Sequence, residues 1–357
     1  MTSNAIHVNR LVALLMPAMF FMMNLTSVLI LWFGAVRIDA GAMHVGAMMA
    51  SLQYAIQILF AVFMVTAVFV MLPRAAASAE RINAVLDVVP DVVDPLNVGS
   101  GVNVASAFSR TIGRVEFQNV TFQYPGAQEP AVSDVSFTAL PGEVTAIIGG
   151  TGSGKSTLAG LIPRLYDVNA GRLLVDGVDV REMRQAELRA RIGYVSQKAV
   201  LFTGTVASNI RFGHDEATDD EMRHAASVAQ ADHFIRTLPD NYGTVINEEA
   251  TNLSQGQKQL LTIARAFLAD PAILVLDEAT SSVDTRTEVL IQEAMGRLMK
   301  GRTTFVIAHR LSTIRNADVI LMMAHGRIVE KGTHQALLDA GGRYAELYQS
   351  QFMGAVS

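Results

Sequence analysis

A glycine-rich segment of the sequence has the spacing of a phosphate-binding loop. The residues Gly149-Gly-Thr-Gly-Ser-Gly-Lys-Ser-Thr157 satisfy the pattern G-x-x-x-x-G-K-[ST], between an apolar run that ends at Ile148 and a helix-like run over 158–165. Glycines let main-chain N–H groups turn inward around phosphate oxygens, and the positive end of the following helix faces the same anion. We expect Lys155 to reach the β- and γ-phosphates and Ser156 to ligate Mg²⁺. The alternative is a glycine-rich turn that only caps a helix.

Two carboxylates follow a run typical of a buried parallel strand. The segment Ala272-Ile-Leu-Val-Leu-Asp-Glu278 is apolar until its last two residues, and ligands of open α/β sheets bind at the carboxyl ends of the strands. We expect Asp277 to help hold Mg²⁺ and Glu278 to polarise the water that attacks the γ-phosphorus. His309 follows another such run, 303–308, and is expected at the same edge, orienting that water. A lone histidine is more often an ordinary surface or core residue, so the role of His309 depends on the phosphate loop and the two carboxylates expected near it.

The elements around these residues alternate between strand and helix. Strand-like runs such as 115–122 and 143–148 are followed by helical ones from about Ile112 onward, which predicts an α/β fold for residues 113–357. Residues 76–112 have helical composition at first and then Pro90, Pro95, Gly99 and Gly101, which indicates a helical extension and a linker.

The first 75 residues contain most of the hydrophobic excess. Residues 11–33 and 45–72 contain no charged residue. As helices they would be about 34 Å and about 42 Å long, against a hydrocarbon core of roughly 30 Å. We predict two transmembrane helices, joined by a short outer loop and followed by a cytoplasmic domain, because Arg10, Arg74 and Arg81 flank them. A cleavable signal peptide is the alternative for the first run.

Charge and cysteine content exclude several function classes. Three of the 28 Lys and Arg and one of the 33 Asp and Glu lie in the first 75 residues, so the remainder is acidic, whereas surfaces that bind nucleic acid are more often basic. The absence of cysteine excludes disulfides and thiol catalysis. Within the apolar runs, Asn24, Gln53 and Gln57 either form hydrogen bonds between helices or contact a substrate.

These motifs resemble those of the ATP-binding cassette (ABC) family. The phosphate loop, Gln197, Leu253-Ser-Gln-Gly-Gln257, Leu276-Asp-Glu278 and His309 occur in the order typical of that family, over about residues 113–350. The resemblance implies ATP hydrolysis coupled to transport, with Tyr124 stacking on adenine and Gln197 ligating Mg²⁺. Packing of Tyr124 on the core is the alternative for that residue. The implied nucleotide-contacting residues are Tyr124, Gly149, Gly150, Thr151, Gly152, Ser153, Gly154, Lys155, Ser156, Thr157 and Gln197, with Ser156, Gln197 and Asp277 as metal ligands.

The resemblance also implies a second cassette. In the family two cassettes associate head to tail, so the signature residues Ser254, Gln255, Gly256 and Gln257, together with Asp284, would contact the ATP of the partner chain. Gln255 stands where the usual signature has glycine, and it would crowd that site. From the residues alone, Ser254 and Gln257 form a helix-capping box. Because Gln255 would crowd one of the two ATP sites, we expect a heterodimer of half-transporters rather than a homodimer.

The resemblance finally indicates where the protein works. Fusion of apolar helices to the cassette is similar to exporters, which implies a multi-pass protein of the cell membrane with an exported substrate that the sequence does not identify. Exporters of this type have six spans per cassette, so this chain is expected to be the C-terminal part of a half-transporter, through truncation, fragmentation or a start codon placed too late. The alternative is an ATP-binding or regulatory module that transports nothing. A soluble ATPase acting on nucleic acid is a third, weaker interpretation.

Overall fold

The chain forms two compact units, Met1–Pro90 and Asp91–Ser357. The computed structural model describes residues 2–95, 113–248, 250–277, 284–308 and 310–350. Because the catalytic candidates Glu278 and His309 fall in two of the gaps, both lie outside the described residues.

The first unit is a pair of long apolar helices, α1 (Thr2–Asp39) and α2 (Val45–Leu86). The helices approach closely at Gly34, since a Cβ atom there would lie 2.6 Å from Cγ of Met48. Small residues permit such close approach between apolar helices. Segments Met16–Asp39 and Val45–Leu86 are, by length and composition, long and apolar enough to cross a membrane.

The extent of α2 and the polar side chains of both helices test what was expected from the sequence. α2 continues without a break through Pro73, where the end of the second span was expected. Asn24, Gln53 and Gln57 are exposed and form no side-chain hydrogen bond with another described residue. These amides therefore do not join α1 to α2.

The second unit is an α/β domain. Its strands are β1 (Val115–Phe122), β2 (Val132–Ala139), β3 (Val144–Gly149), β4 (Ala170–Val175), β5 (Val178–Asp179), β6 (Ile192–Val195), β7 (Gly204–Thr205), β8 (Val245–Ile246), β9 (Ile273–Asp277), β10 (Thr303–Ile307), β11 (Val319–Ala324) and β12 (Arg327–Gly332). Its helices are α3 (Lys155–Leu161), α4 (Gln185–Arg189), α5 (Val206–Arg211), α6 (Asp219–Val228), α7 (Asp232–Ile235), α8 (Gln255–Ala269), α9 (Thr285–Met299), α10 (Leu311–Arg315), α11 (His334–Asp339) and α12 (Arg343–Tyr348).

The strands form three sheets. A six-stranded sheet has the order β12-β11-β3-β10-β9-β6, a four-stranded sheet has the order β2-β1-β4-β5, and β7 pairs with β8. The strands from β11 to β6 in the six-stranded sheet are parallel, and β12 is antiparallel at its edge. The carboxyl ends of β3, β10, β9 and β6 therefore lie side by side along one edge of the sheet.

The core lies on both faces of the parallel sheet. Along β9, Leu274 and Leu276 belong to the cluster that packs against α8 and α9, whereas Ile273 and Val275 belong to the cluster shared with the four-stranded sheet and α3. A strand buried on both faces must be apolar along its whole length, which explains the continuous hydrophobic run before Asp277.

Candidate active site

The phosphate loop connects β3 to α3, as the sequence predicts. Gly149 has φ +146°, and a Cβ atom there would lie 2.2 Å from the carbonyl oxygen of Met323. Gly154 has φ +98°, and a Cβ atom there would lie 2.4 Å from the carbonyl oxygen of Ala131. The loop therefore requires glycine at both positions, for conformation and for space.

Lys155 lies inside this loop. Its side chain is buried, and Nζ donates hydrogen bonds to the carbonyl oxygens of Gly149 at 2.9 Å and Gly150 at 2.7 Å. Burial lowers the pKa of Lys155, while the charge of Asp277 acts in the opposite direction. The ammonium group is thus held within the loop, where it can bind an anion.

Ser153 provides independent support for a ligand at the loop. Ser153 is 6% exposed, and its Oγ atom has no hydrogen-bond partner among the described residues. Its carbonyl oxygen accepts a hydrogen bond of 3.2 Å from the N–H of Gly326, which fixes the backbone. A buried hydroxyl group without a partner is costly, so a phosphate oxygen at this position would satisfy it.

The side chain of Tyr124 contacts Thr157, the last residue of the loop. Its hydroxyl group and Oγ1 of Thr157 are 3.1 Å apart, within hydrogen-bond distance. Phe122 and Tyr166 meet the ring edge-on, at centroid distances of 4.9 and 5.3 Å. Since the residue is 37% exposed, part of the ring is open for stacking on a planar base.

Other residues predicted to form the site lie at or near the carboxyl edge of the sheet. Asp277 pairs with Ile307, and Val195 pairs with Leu276, so β6, β9 and β10 end at nearly the same level. Exposed Gln197 follows β6 by two residues. The structure thus brings the phosphate loop and Asp277 to a common edge, and Gln197 follows a strand that ends there.

The signature segment begins α8. Oγ of Ser254 accepts a hydrogen bond of 3.2 Å from the N–H of Gln257, and Oε1 of Gln257 accepts one of 2.9 Å from the N–H of Ser254, so the expected capping box is present. Gln255 is half-buried as the first helical residue, and Gly256 is buried. Asp284 caps α9 by accepting a hydrogen bond of 3.0 Å from the N–H of Thr287, which lowers the pKa of the Asp284 carboxyl group.

Comparison with known proteins decides the family. Residues 132–281, which include the phosphate loop, the signature segment and Asp277, match the ABC transporter family. This region of the chain is an ABC transporter domain. Its cassette is an ATP-binding domain, and the predicted α/β fold preceded by apolar helices is confirmed.

Relatives of this ABC protein include transporters named for lipids. The fatty acid ABC transporter ATP-binding/permease protein of Mycobacterium tuberculosis is 44% identical over 335 residues, covering 94% of this chain and 51% of the relative. The ATP-dependent lipid A-core flippase of Chromobacterium violaceum is 45% identical over 323 residues, covering 90% of this chain and 54% of the relative. The chain therefore spans about half the length of these curated relatives.

A solved structure shows the same architecture. A bacterial Atm1-family ABC exporter with ATP bound matches this ABC chain with a TM-score of 0.76 and 35% identity, covering 92% of this chain and 56% of the other. The match extends beyond the cassette into the helical N-terminal region.

Sequence reasoning missed two side-chain contacts of this ABC domain. Arg310, directly after His309, forms an ion pair with Glu288. Arg164, three residues after α3 ends, binds the segment ahead of the cassette through the carbonyl oxygen of Val93. The arginines were visible in the sequence, but their partners are distant along the chain and no local spacing indicated them.

Proposed function

We propose that this chain is an ATP-hydrolysing subunit of an ABC-type membrane exporter. The observation that carries the proposal is the phosphate loop with Lys155 stored inside it, at the sheet edge where Asp277 ends β9. On binding ATP, the Lys155 ammonium group exchanges its carbonyl partners for phosphate oxygens, and Ser153 gains an acceptor for its hydroxyl group.

Magnesium fits the residues at this edge. Ser156, Gln197 and Asp277 supply hydroxyl, amide and carboxylate oxygens, the ligand class that Mg²⁺ prefers. No group of three or more His, Cys, Asp or Glu side chains could hold a metal within the described residues, so the nucleotide phosphates would complete the coordination. The metal, when bound, would neutralise charge on the β- and γ-phosphates.

Hydrolysis is assigned to Glu278 and His309. Glu278 directly follows Asp277, and His309 lies two residues after Ile307, which is paired with Asp277. In this proposal Glu278 accepts a proton from the attacking water, and His309 orients that water towards the γ-phosphorus.

The partner is a second half-transporter subunit. Ser254, Gln255, Gly256, Gln257 and Asp284 act on the ATP of that partner. The amide side chain of Gln255 at the start of α8 makes this contribution unlike that of a glycine signature, which supports a heterodimer. A tagged copy should purify with a different half-transporter and without an untagged copy of itself; co-purification with itself would contradict the heterodimer.

The two apolar helices are proposed to cross the cell membrane, with the cassette in the cytoplasm. Between them lies a cavity of about 290 Å³ that is almost wholly apolar. It is lined by Met16, Met19, Phe20, Met23, Ile56, Leu59, Phe60 and Phe63. Flexible methionine and aromatic side chains suit apolar ligands of varied shape. Together with the names of the relatives, this cavity supports a substrate with an apolar, lipid-like part.

Transport by the purified membrane complex tests this function. In proteoliposomes, ATP should drive movement of a fluorescent fatty acid, and Lys155→Ala should abolish both hydrolysis and movement. The control Lys300→Ala removes the same charge from an exposed position at the end of α9 and should leave both unchanged. Hydrolysis by the original complex without movement of any tested lipid would contradict the substrate assignment.

A further inference from the structure

The ends of β9 and β10 lie side by side. These parallel strands are paired in register up to Asp277 and Ile307, their last residues. The first connection leads through residues 278–283 to Asp284 and α9, and the second passes His309 to reach Arg310 and α10. Both connections therefore carry residues assigned above to ATP hydrolysis or to the partner's site.

An ion pair joins these two connections. Nη2 of Arg310 lies 3.0 Å from Oε1 of Glu288, and the side chains are 13% and 38% exposed. Glu288 belongs to the first turn of α9, and Arg310 precedes the first residue of α10. The contact therefore connects the two loops just beyond their functional residues, not at a remote surface.

Each member of the pair is held firmly. The N–H of Glu288 donates a hydrogen bond of 2.9 Å to the carbonyl oxygen of Asp284, and Ile291, one turn further along α9, is buried in the core. The carbonyl oxygen of Arg310 accepts a hydrogen bond of 3.2 Å from the N–H of Ile314, which is also buried. The ion pair therefore joins two helix starts that are each anchored to the core.

We propose that Glu288 and Arg310 are positioning residues that couple the His309 connection to the Asp284 connection. This inference rests on the proposed ATP hydrolysis. The pair fixes the chain beside His309 relative to the loop that begins at Glu278 and ends at Asp284. Because Glu288 and Arg310 lie at the starts of α9 and α10 and not in the phosphate loop, the pair acts on the catalytic step and not on ATP affinity.

Single substitutions separate catalysis from binding. Glu288→Gln or Arg310→Gln should lower kcat for ATP by about tenfold, since small misplacements of reacting groups are costly in rate. ATP affinity, measured in a Glu278→Gln background, and the unfolding temperature should stay near those of the original protein. The reversed pair, Glu288→Arg with Arg310→Glu, should recover part of the lost kcat. Arg236→Gln is the control, because it breaks the Arg236–Asp232 pair of 2.8 Å, whose arginine is exposed, in the same domain.

The outcomes are distinct. Reduced kcat with unchanged ATP affinity and partial recovery by reversal supports the coupling. Single variants with the original kcat, or variants that lose kcat and ATP affinity together, would overturn it. If hydrolysis by the unaltered complex does not depend on Glu278, the proposed function itself fails, whatever these variants show.

Discussion

Arg164 donates a hydrogen bond of 3.0 Å to the main-chain carbonyl oxygen of Val93, across 71 positions of the chain. The same guanidinium group binds both carboxylate oxygens of Asp167, at 2.7 and 3.0 Å, and is almost fully buried. Nearby, Asp94 accepts a hydrogen bond of 2.8 Å from the N–H of Gln185. The segment ahead of the cassette is thus part of the cassette's hydrogen-bond network.

Substitution of Arg164 should destabilise the cassette. Arg164→Met leaves the Asp167 carboxylate and the Val93 carbonyl group without this partner, which should lower the free energy of unfolding by about 3 kcal/mol. Chemical denaturation of the purified protein measures the change. Arg172→Met, at an exposed position, is the control and should change stability little. Equal stability of both variants would show that the Val93 contact contributes nothing.

Alanine substitutions at two adjacent glycines of the phosphate loop should have different effects on the unfolding temperature. Gly149→Ala places a methyl group 2.2 Å from the carbonyl oxygen of Met323, so the unfolding temperature should fall markedly. Gly150→Ala meets no atom within 4 Å and should unfold near the original temperature. Differential scanning calorimetry compares the two. Similar unfolding temperatures would contradict the packing of β3 against β11.

Tyr124 should contribute to ATP affinity through its ring. Tyr124→Ala removes the stacking surface and should weaken ATP binding by about tenfold, since aromatic stacking on a base contributes about 1–3 kcal/mol. Tyr124→Phe loses only the contact with Thr157 and should retain most of the affinity. Isothermal titration calorimetry in the Glu278→Gln background measures both. Weak binding by Tyr124→Phe and Tyr124→Ala alike would assign the effect to the hydroxyl group.

The C-terminal helices should make stability sensitive to acid. Nδ1 of His334 lies 2.5 Å from the hydroxyl group of Tyr344, whose pKa burial raises to about 12. Burial, assisted by the charge of Arg315, lowers the pKa of His334 from its ordinary value of 6.5, so the folded state favours the neutral ring. This stability is present above pH 6.5 and is lost as the pH falls below it.

Replacement of the ring tests this effect. His334→Asn should reduce the fall in unfolding temperature between pH 7.5 and pH 5.5, two points on either side of the titration. His325→Asn, at the exposed turn between β11 and β12, is the control. An unchanged pH dependence in His334→Asn would show that other groups cause the acid sensitivity.

Local sequence patterns predicted much of this fold. The expected strand over 115–122 is β1, the apolar run before Asp277 forms most of β9, and the capping box of Ser254 and Gln257 is present. These features depend on hydrophobic periodicity and on hydrogen bonds between close neighbours, which the sequence displays directly.

Long-range contacts could not be predicted in this way. The pairs Arg164–Val93 and Arg310–Glu288 exist because packing brings distant segments together, and no residue spacing encodes them. The roles of Glu278 and His309 remain predictions, because both residues lie outside the described part of the chain.

ATP hydrolysis by the purified membrane complex, compared between the original chain and Glu278→Gln, tests whether this chain anchors the hydrolytic site. The assignment of hydrolysis to this chain predicts that Glu278→Gln abolishes turnover while ATP binding at the phosphate loop persists. Unchanged turnover in Glu278→Gln would contradict it, because hydrolysis would then belong to a site that the partner chain anchors.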